Sequence, residues 1–155
     1  MTTRREFIRS AALASAGLAF SGITSKMTAK SFERISGANS KVNVAFVGIG
    51  NRGLEVLNEF VKTGMVNVVA LCDVDMGAPH TQEIINMFPK AARFQDFRTM
   101  FDRMADKIDA VSVGVPDHSH FPITIEAMAH GKHVYVEKPM ARTFQEIEIM
   151  MRGAK

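Results

Sequence analysis

Short apolar runs alternate with longer amphipathic segments from position 42 onward. Val42 to Val47 and Val66 to Cys72 are rich in β-branched residues and have the length of strands. Between them, Asn51 to Lys62 carries apolar residues at the three- and four-residue spacing of a helix. This pattern predicts a strand, a helix and a second strand at the start of the fold.

The alternation continues to the end of the chain. The further predicted elements are helices over Pro79 to Phe88, Asp96 to Met104, His120 to His130 and Thr143 to Met151, and strands at Arg93-Phe94, Ile108 to Val115 and His133 to Val136. Thr143 and Glu146 form a capping-box sequence at the start of the last helix. Strands that alternate with helices imply a parallel sheet covered by helices on both faces. The predicted fold class is therefore α/β, with a doubly wound parallel sheet.

The net charge of the chain is confined to its beginning. The 155 residues include 19 Lys and Arg against 16 Asp and Glu, and 46% of them are hydrophobic, which suffices for about one domain. The excess comes from Arg4, Arg5, Arg9 and Lys26 against Glu6, and the other residues carry equal numbers of basic and acidic side chains. The charge therefore does not indicate a nucleic-acid partner.

The first residues have the pattern of an export signal. Thr3 to Arg9, TRREFIR, resembles a twin-arginine signal, and an apolar run rich in Ala and Gly follows to Ile23. That run is too short for a membrane span. The alternative is an amphipathic helix with a chance Arg-Arg pair. We expect residues 1–29 to be a signal that directs the protein to the periplasm, residues 30–41 to be a linker, and the mature form to have no membrane span.

A glycine motif follows the first predicted strand. Gly48-Ile49-Gly50-Asn51-Arg52-Gly53 has the spacing G-x-G-x-x-G and opens the first predicted helix. In a dinucleotide site, Gly48 would permit the tight turn, Gly50 the close approach of the pyrophosphate, and Gly53 the packing of helix on strand. The N–H groups at the helix start would hold the phosphates. Glycines at this spacing also serve plain strand-to-helix turns, so the motif needs a second signal.

Asp73 provides that second signal. It lies 20 residues beyond Gly53 at the end of the second predicted strand, where an acid accepts hydrogen bonds from the adenosine ribose hydroxyls. Its carboxylate would repel a 2′-phosphate, so the sequence favours NAD over NADP. The alternative is a solvated Asp at a strand end. In the loop itself, Asn51 is a candidate cofactor contact, and Arg52 either touches a phosphate or faces solvent.

Two further clusters follow the fourth and fifth predicted strands. Pro116 to His120 contains the spacing H-x-H with one acid nearby, which does not complete a metal-ligand set, so we predict no metal and a loop that lines the cofactor. Glu137-Lys138-Pro139 places an acid beside a base, either to tune Lys138 for proton transfer or as a plain surface ion pair. The single cysteine, Cys72, cannot form an internal disulfide, and its apolar neighbours indicate a buried structural thiol.

Together these motifs resemble the nucleotide-binding half of the glucose-fructose oxidoreductase and inositol 2-dehydrogenase family, Gfo/Idh/MocA, over residues 42–155. The resemblance implies a Rossmann-type domain that binds NAD. It places Lys138 beside the nicotinamide and the reacting hydroxyl as the catalytic residue. It also assigns Pro116, His120 and Glu137 to the cofactor site. Val115 and Asp117 replace the usual threonine and asparagine of the family's loop.

The resemblance implies an NAD-dependent oxidoreductase that takes a hydride from a sugar, cyclitol or glycoside. One alternative is an NAD-dependent glycoside hydrolase that acts by transient oxidation at C3 and elimination. Another is a cofactor-binding fragment without turnover, because family members continue into a second, α+β domain that binds the sugar, carries a catalytic histidine and drives oligomerisation. We expect that domain to be absent from this chain, which ends at Lys155, and the full-length form to be a homo-oligomer.

Overall fold

The computed structural model of the chain describes residues 41–154. The predicted export signal and all but the last residue of the predicted linker lie outside this range. In chain order the elements are β1 (Val42–Val47), α1 (Arg52–Lys62), β2 (Val66–Cys72), α2 (Pro79–Met87), β3 (Ala92–Phe94), α3 (Phe97–Met104), β4 (Ala110–Val113), α4 (His120–Ala129), β5 (His133–Val136) and α5 (Phe144–Gly153), with single 3-10 turns at Ala105–Lys107 and Asp117–Ser119. No helix within 41–154 is long and apolar enough to cross a membrane.

The five strands form one parallel sheet in the order β3-β2-β1-β4-β5. β2 and β3 lie in sequence order on one side of β1, and β4 and β5 lie in sequence order on its other side. The strand order therefore reverses between β1 and β4, and the crevice at the carboxyl ends of these two strands is where ligands bind in such sheets.

Helices cover both faces of the sheet because its strands alternate their side chains between two cores. In β1, Val44 and Phe46 face one core, and Ala45 and Val47 face the other. The first core takes buried side chains from α1 and α2, and the second takes them from α3 and α4. A strand with apolar side chains on both faces has a largely apolar sequence, which only Asn43 interrupts in β1 and only Asn67 in β2. The prediction of a doubly wound α/β fold is confirmed.

The element boundaries differ from the predicted ones by a few residues, most of all at β4. The predicted strand Ile108 to Val115 is wrong at both ends, since only Ala110–Val113 pairs with its neighbours. Ile108 follows a 3-10 turn and fills the core from there, so apolar character extended the predicted run beyond the strand. At α1, Asn51 has a φ of 44° and lies outside the helix.

The start of α5 agrees with the sequence. The Thr143 hydroxyl accepts a hydrogen bond from the Glu146 N–H at 3.1 Å, and the Glu146 carboxylate accepts one from the Thr143 N–H at 3.0 Å. The predicted capping box is therefore confirmed, with Thr143 preceding the helix.

Candidate functional site

Residues from four loops surround a cavity of about 720 Å³ at the carboxyl ends of β1, β2, β3 and β4. The predicted cofactor residues that line it are Gly48, Gly50, Asn51, Arg52, Asp73 and Pro116. Gly53 lies buried in the first turn of α1. The other predicted residues, His120, Glu137 and Lys138, line a second cavity of about 480 Å³, and Arg52 borders both.

The glycine loop is a turn in which two positions have no room for a side chain. Gly48 has a φ of +80°, and a Cβ on it would come within 2.5 Å of the Gly114 carbonyl oxygen. A Cβ on Gly53 would collide with the carbonyl oxygen of Gly48. Because neither glycine has a Cβ, α1 can lie close to the end of β1. These steric limits account for the first and third glycines of the motif as requirements of the turn and of helix packing.

The Asp73 carboxylate is fixed against this loop by backbone donors. Its Oδ2 accepts a hydrogen bond from the N–H of Ile49 at 3.0 Å, and its Oδ1 accepts one from the N–H of Asp75 at 3.0 Å. Each carboxylate oxygen has two lone pairs, so both oxygens keep an acceptor site. Half-buried at the cavity wall, Asp73 is thus oriented to accept hydrogen bonds from a pair of vicinal hydroxyls.

The carboxylate of Glu137 pairs with the side chains of Arg52 and Tyr135. Nε of Arg52 lies 3.2 Å from Oε2 of Glu137, and the Tyr135 hydroxyl donates to Oε1 at 2.8 Å. The hydrogen bond from Arg52, and after it that from Tyr135, holds the pKa of Glu137 below its ordinary value. A Glu137–Lys138 ion pair, one of the two alternatives from the sequence, does not form, because the acid is buried and already engaged.

Lys138 is exposed and borders the smaller cavity. Within residues 41–154 its amine has no carboxylate at ion-pair distance. Asp117, Glu137 and His120 line the same cavity. The amine is therefore free to reach a ligand there.

His120 connects the two loops that follow β4 and β5. Its ring is 1% exposed, with Nδ1 2.6 Å from the Pro139 carbonyl oxygen and Nε2 2.8 Å from that of Val115. Carbonyl oxygens only accept, so a neutral ring can donate to one of them and an imidazolium to both. Because both ring nitrogens face backbone carbonyl oxygens, His120 holds the two loops together and offers no free nitrogen to a ligand.

Metal and thiol chemistry have no support in the described range. Residues 41–154 contain no group of three or more His, Cys, Asp or Glu side chains that could hold a metal ion. Burial, with the nearby Asp73 and Asp96 charges, raises the pKa of the Cys72 thiol to about 12. The thiol is therefore protonated at neutral pH and packs in the core.

The sequence reasoning missed three side chains that the structure brings to the site. His80 at the start of α2 and Arg98 at the start of α3 line the larger cavity, and Tyr135 binds Glu137. Tyr135 could have been found, since residues two apart on a strand share a face. His80 and Arg98 could not, because their positions depend on the placement of α2 and on the pairing of β3 with β2.

Comparisons with known proteins agree with this geometry. Residues 42–155 match the Gfo/Idh/MocA family, described as an oxidoreductase family with an NAD-binding Rossmann fold. A glycosyl hydrolase family 109 protein of Saccharopolyspora erythraea is 31% identical over 94% of this chain and 35% of its own length. The chain spans about a third of the length of the curated relatives it matches.

Two solved structures of similar proteins share the fold. A dehydrogenase from Chromobacterium violaceum is 28% identical with a TM-score of 0.67, and the match covers 74% of this chain and 33% of that one. The myo-inositol 2-dehydrogenase of Lactobacillus plantarum is 25% identical with a TM-score of 0.64, and the match again covers 74% of this chain and 33% of that one.

Proposed function

The chain belongs to the Gfo/Idh/MocA family of oxidoreductases with an NAD-binding Rossmann fold. From this premise we propose that it is the NAD-binding part of an enzyme that oxidises a hydroxyl-bearing carbon of a sugar, cyclitol or glycoside. The observation that carries the proposal is the position of Asp73, whose carboxylate is fixed against the glycine loop with acceptor sites left on both oxygens. An acid in this place binds the adenosine ribose hydroxyls of a dinucleotide.

The residues that line the cavity have the chemistry that a dinucleotide requires. Gly48 and Gly53 allow α1 to begin close to the end of β1. The residues at its start, Asn51 and Arg52, line the cavity, and the free N–H groups of a helix start bind phosphates. Asp73 opposes a 2′-phosphate by charge, which favours NAD over NADP. Arg98 borders the same cavity, but its guanidinium lies 3.4 Å from the Asp96 carboxylate and 4.4 Å from the centre of the Phe97 ring. Its charge is therefore partly balanced.

Lys138 is the residue proposed to act on the substrate. Its amine is free of carboxylates in the described range and borders the smaller cavity, so it can hold or accept the proton of a substrate hydroxyl there. Bound NAD would supply the hydride acceptor. The Arg52–Glu137 pair keeps the neighbouring acid from competing for the lysine.

A second candidate is an NAD-dependent glycoside hydrolase that oxidises its sugar transiently at C3 and eliminates the aglycone. The 31% identity to a glycosyl hydrolase family 109 protein across 94% of this chain favours it. The two candidates share the cofactor site and differ in their products. A dehydrogenase accumulates reduced cofactor, whereas the hydrolase releases the aglycone with no net reduction.

One assay distinguishes these candidates. The chain is incubated with NAD and a panel of sugars, cyclitols and aryl glycosides, and absorbance of reduced cofactor and release of the aryl group are followed together. Accumulation of reduced cofactor identifies a dehydrogenase, and aryl release alone identifies a hydrolase. NAD binding without either product identifies a binding part that needs residues beyond this chain. Absence of NAD binding contradicts the proposal.

We also propose export by the twin-arginine route, from the TRREFIR pattern at Thr3 to Arg9. Because free NAD is scarce outside the cytoplasm, an exported enzyme would carry a tightly held cofactor. Replacement of Arg4 and Arg5 by Lys should retain the protein in the cytoplasmic fraction. NAD should also survive gel filtration with the wild-type protein, and cofactor-free protein from a native preparation would count against tight binding.

A further inference from the structure

The open side of Gly50 is covered by the ring of His80. A Cβ built on Gly50 would lie 2.5 Å from Cδ2 and 2.9 Å from Nε2 of His80. His80 is the second residue of α2, is exposed, and lines the larger cavity together with Gly50. Gly50 thus differs from the other two glycines of the motif, whose missing side chains would meet backbone.

The missing side chain of the second glycine has a general role in dinucleotide sites. It lets the pyrophosphate approach the backbone more closely than any other residue would allow. The space over Gly50 is therefore the path of the pyrophosphate, and the His80 ring lies in it. A bound dinucleotide must either contact this ring or displace it.

The two arginines of the cavity are already paired with acids, which favours His80 as a contact of the phosphates. Arg52 is engaged by Glu137 and Glu55, and Arg98 is engaged by Asp96. Among residues 41–154, no acid forms an ion pair with the His80 ring. Its Nε2 lies beside Gly50, in the loop that the pyrophosphate approaches. As an exposed side chain it can turn about its Cα–Cβ bond to admit a ligand and still donate to it.

On the premise of the proposed function, we propose that His80 is a cofactor-binding residue that donates a hydrogen bond to the dinucleotide pyrophosphate over Gly50. Residues 79–87 then contribute to the site through the first turn of α2, opposite the glycine loop. The ring closes over the phosphates from the side that the loop leaves open.

The test compares His80→Ala, His80→Gln and the control His133→Ala, an exposed histidine at the start of β5, at the opposite end of the sheet. Binding of NAD and ADP-ribose is measured by calorimetry, and binding of adenosine, which has no phosphate, by NMR. His80→Ala should weaken NAD and ADP-ribose binding about tenfold or more, the usual effect of losing a hydrogen bond to a charged group. Adenosine binding should not change, and the amide of His80→Gln should restore part of the affinity.

The outcomes separate this inference from the proposed function. A folded wild-type chain that does not bind NAD overturns both. Wild-type binding that His80→Ala leaves unchanged overturns the inference alone. Tighter binding by His80→Ala would show that the ring obstructs the site, and this also overturns it. Equal weakening of adenosine binding would show a general structural effect of the substitution, which again overturns the inference and leaves the proposed function standing.

Discussion

Arg52 and Glu137 are 85 residues apart in the sequence, yet Nε of Arg52 lies 3.2 Å from Oε2 of Glu137. The arginine belongs to the glycine motif and is the first residue of α1, and the glutamate follows β5 and precedes Lys138. The pair therefore joins the two cavities of the candidate site. It fixes the strand end that carries Lys138 relative to the loop proposed to hold the cofactor.

This pair predicts a specific loss of stability in acid. The folded chain lowers the pKa of Glu137 below its ordinary value of 4.5, through hydrogen bonds first from Arg52 and then from Tyr135. A group with a lowered folded-state pKa stabilises the fold above its unfolded pKa, and this contribution disappears as the pH falls through the folded pKa. Thermal unfolding of Glu137→Gln should therefore depend less on pH below about 4.5 than that of the wild type.

Glu55 provides the matched control for that experiment. Its exposed carboxylate lies 2.8 Å from Nη1 of the same Arg52 guanidinium, without burial. Glu55→Gln should keep the wild-type acid dependence, because surface ion pairs contribute little. Equal acid slopes for wild type and Glu137→Gln would contradict the assignment.

An added methyl group should destabilise the fold at Gly53, in the glycine motif, but not at Gly77. A Cβ at Gly53 would collide with the Gly48 carbonyl oxygen, whereas a Cβ at Gly77 would make an ordinary contact of 3.6 Å with Asp75. Gly53→Ala should lower the free energy of unfolding by about 1–3 kcal/mol and weaken NAD binding. Gly77→Ala should change the free energy of unfolding by less than about 0.5 kcal/mol. Chemical denaturation measures both, and a Gly53→Ala variant as stable as wild type would refute the packing role.

Alanine substitutions at the buried His120 and the exposed His118 should differ in their effect on stability. His120→Ala removes the ring whose two nitrogens face the carbonyl oxygens of Pro139 and Val115, and it leaves a cavity, so it should cost about 2–4 kcal/mol of folding free energy. His118, two residues earlier, is exposed, and His118→Ala should stay within about 0.5 kcal/mol of wild type. Denaturation in urea compares them. A small effect at His120 would mean that the two loops are held by other contacts.

The raised pKa of Cys72, to about 12, predicts an unreactive thiol. Only the thiolate attacks a disulfide reagent, and this thiol is both protonated at neutral pH and buried. Reaction of the native chain with an aromatic disulfide should be slow and should become rapid in denaturant. Fast reaction of the native chain would contradict the burial.

Much of the fold and part of the site follow from local sequence patterns. β1 and β2 were predicted residue for residue because each is a largely apolar run that ends sharply, at Gly48 and at Asp73. The position of Asp73 followed from its spacing to Gly53 at the end of such a strand. The capping box of α5 was equally local.

The parts that sequence did not predict depend on strand order. The Arg52–Glu137 contact requires α1 and β5 to meet across β4, and the contact of His80 with Gly50 requires α2 to return over the glycine loop. Neither pairing has a signature in spacing. The sequence also left open an ion pair between the neighbouring Glu137 and Lys138, whereas the Glu137 carboxylate binds Arg52 and Tyr135.

The most direct test of the central claim is a calorimetric titration of NAD into the chain and into its Asp73→Ala variant, with Asp102→Ala, an exposed acid on α3, as the control. We predict saturable NAD binding by the wild type and by Asp102→Ala, weaker NADP binding, and a loss of about tenfold to a hundredfold in NAD affinity in Asp73→Ala. A folded wild-type chain without NAD binding, or an Asp73→Ala variant that binds NAD as tightly as wild type, would contradict the claim that the glycine loop and Asp73 form a dinucleotide site.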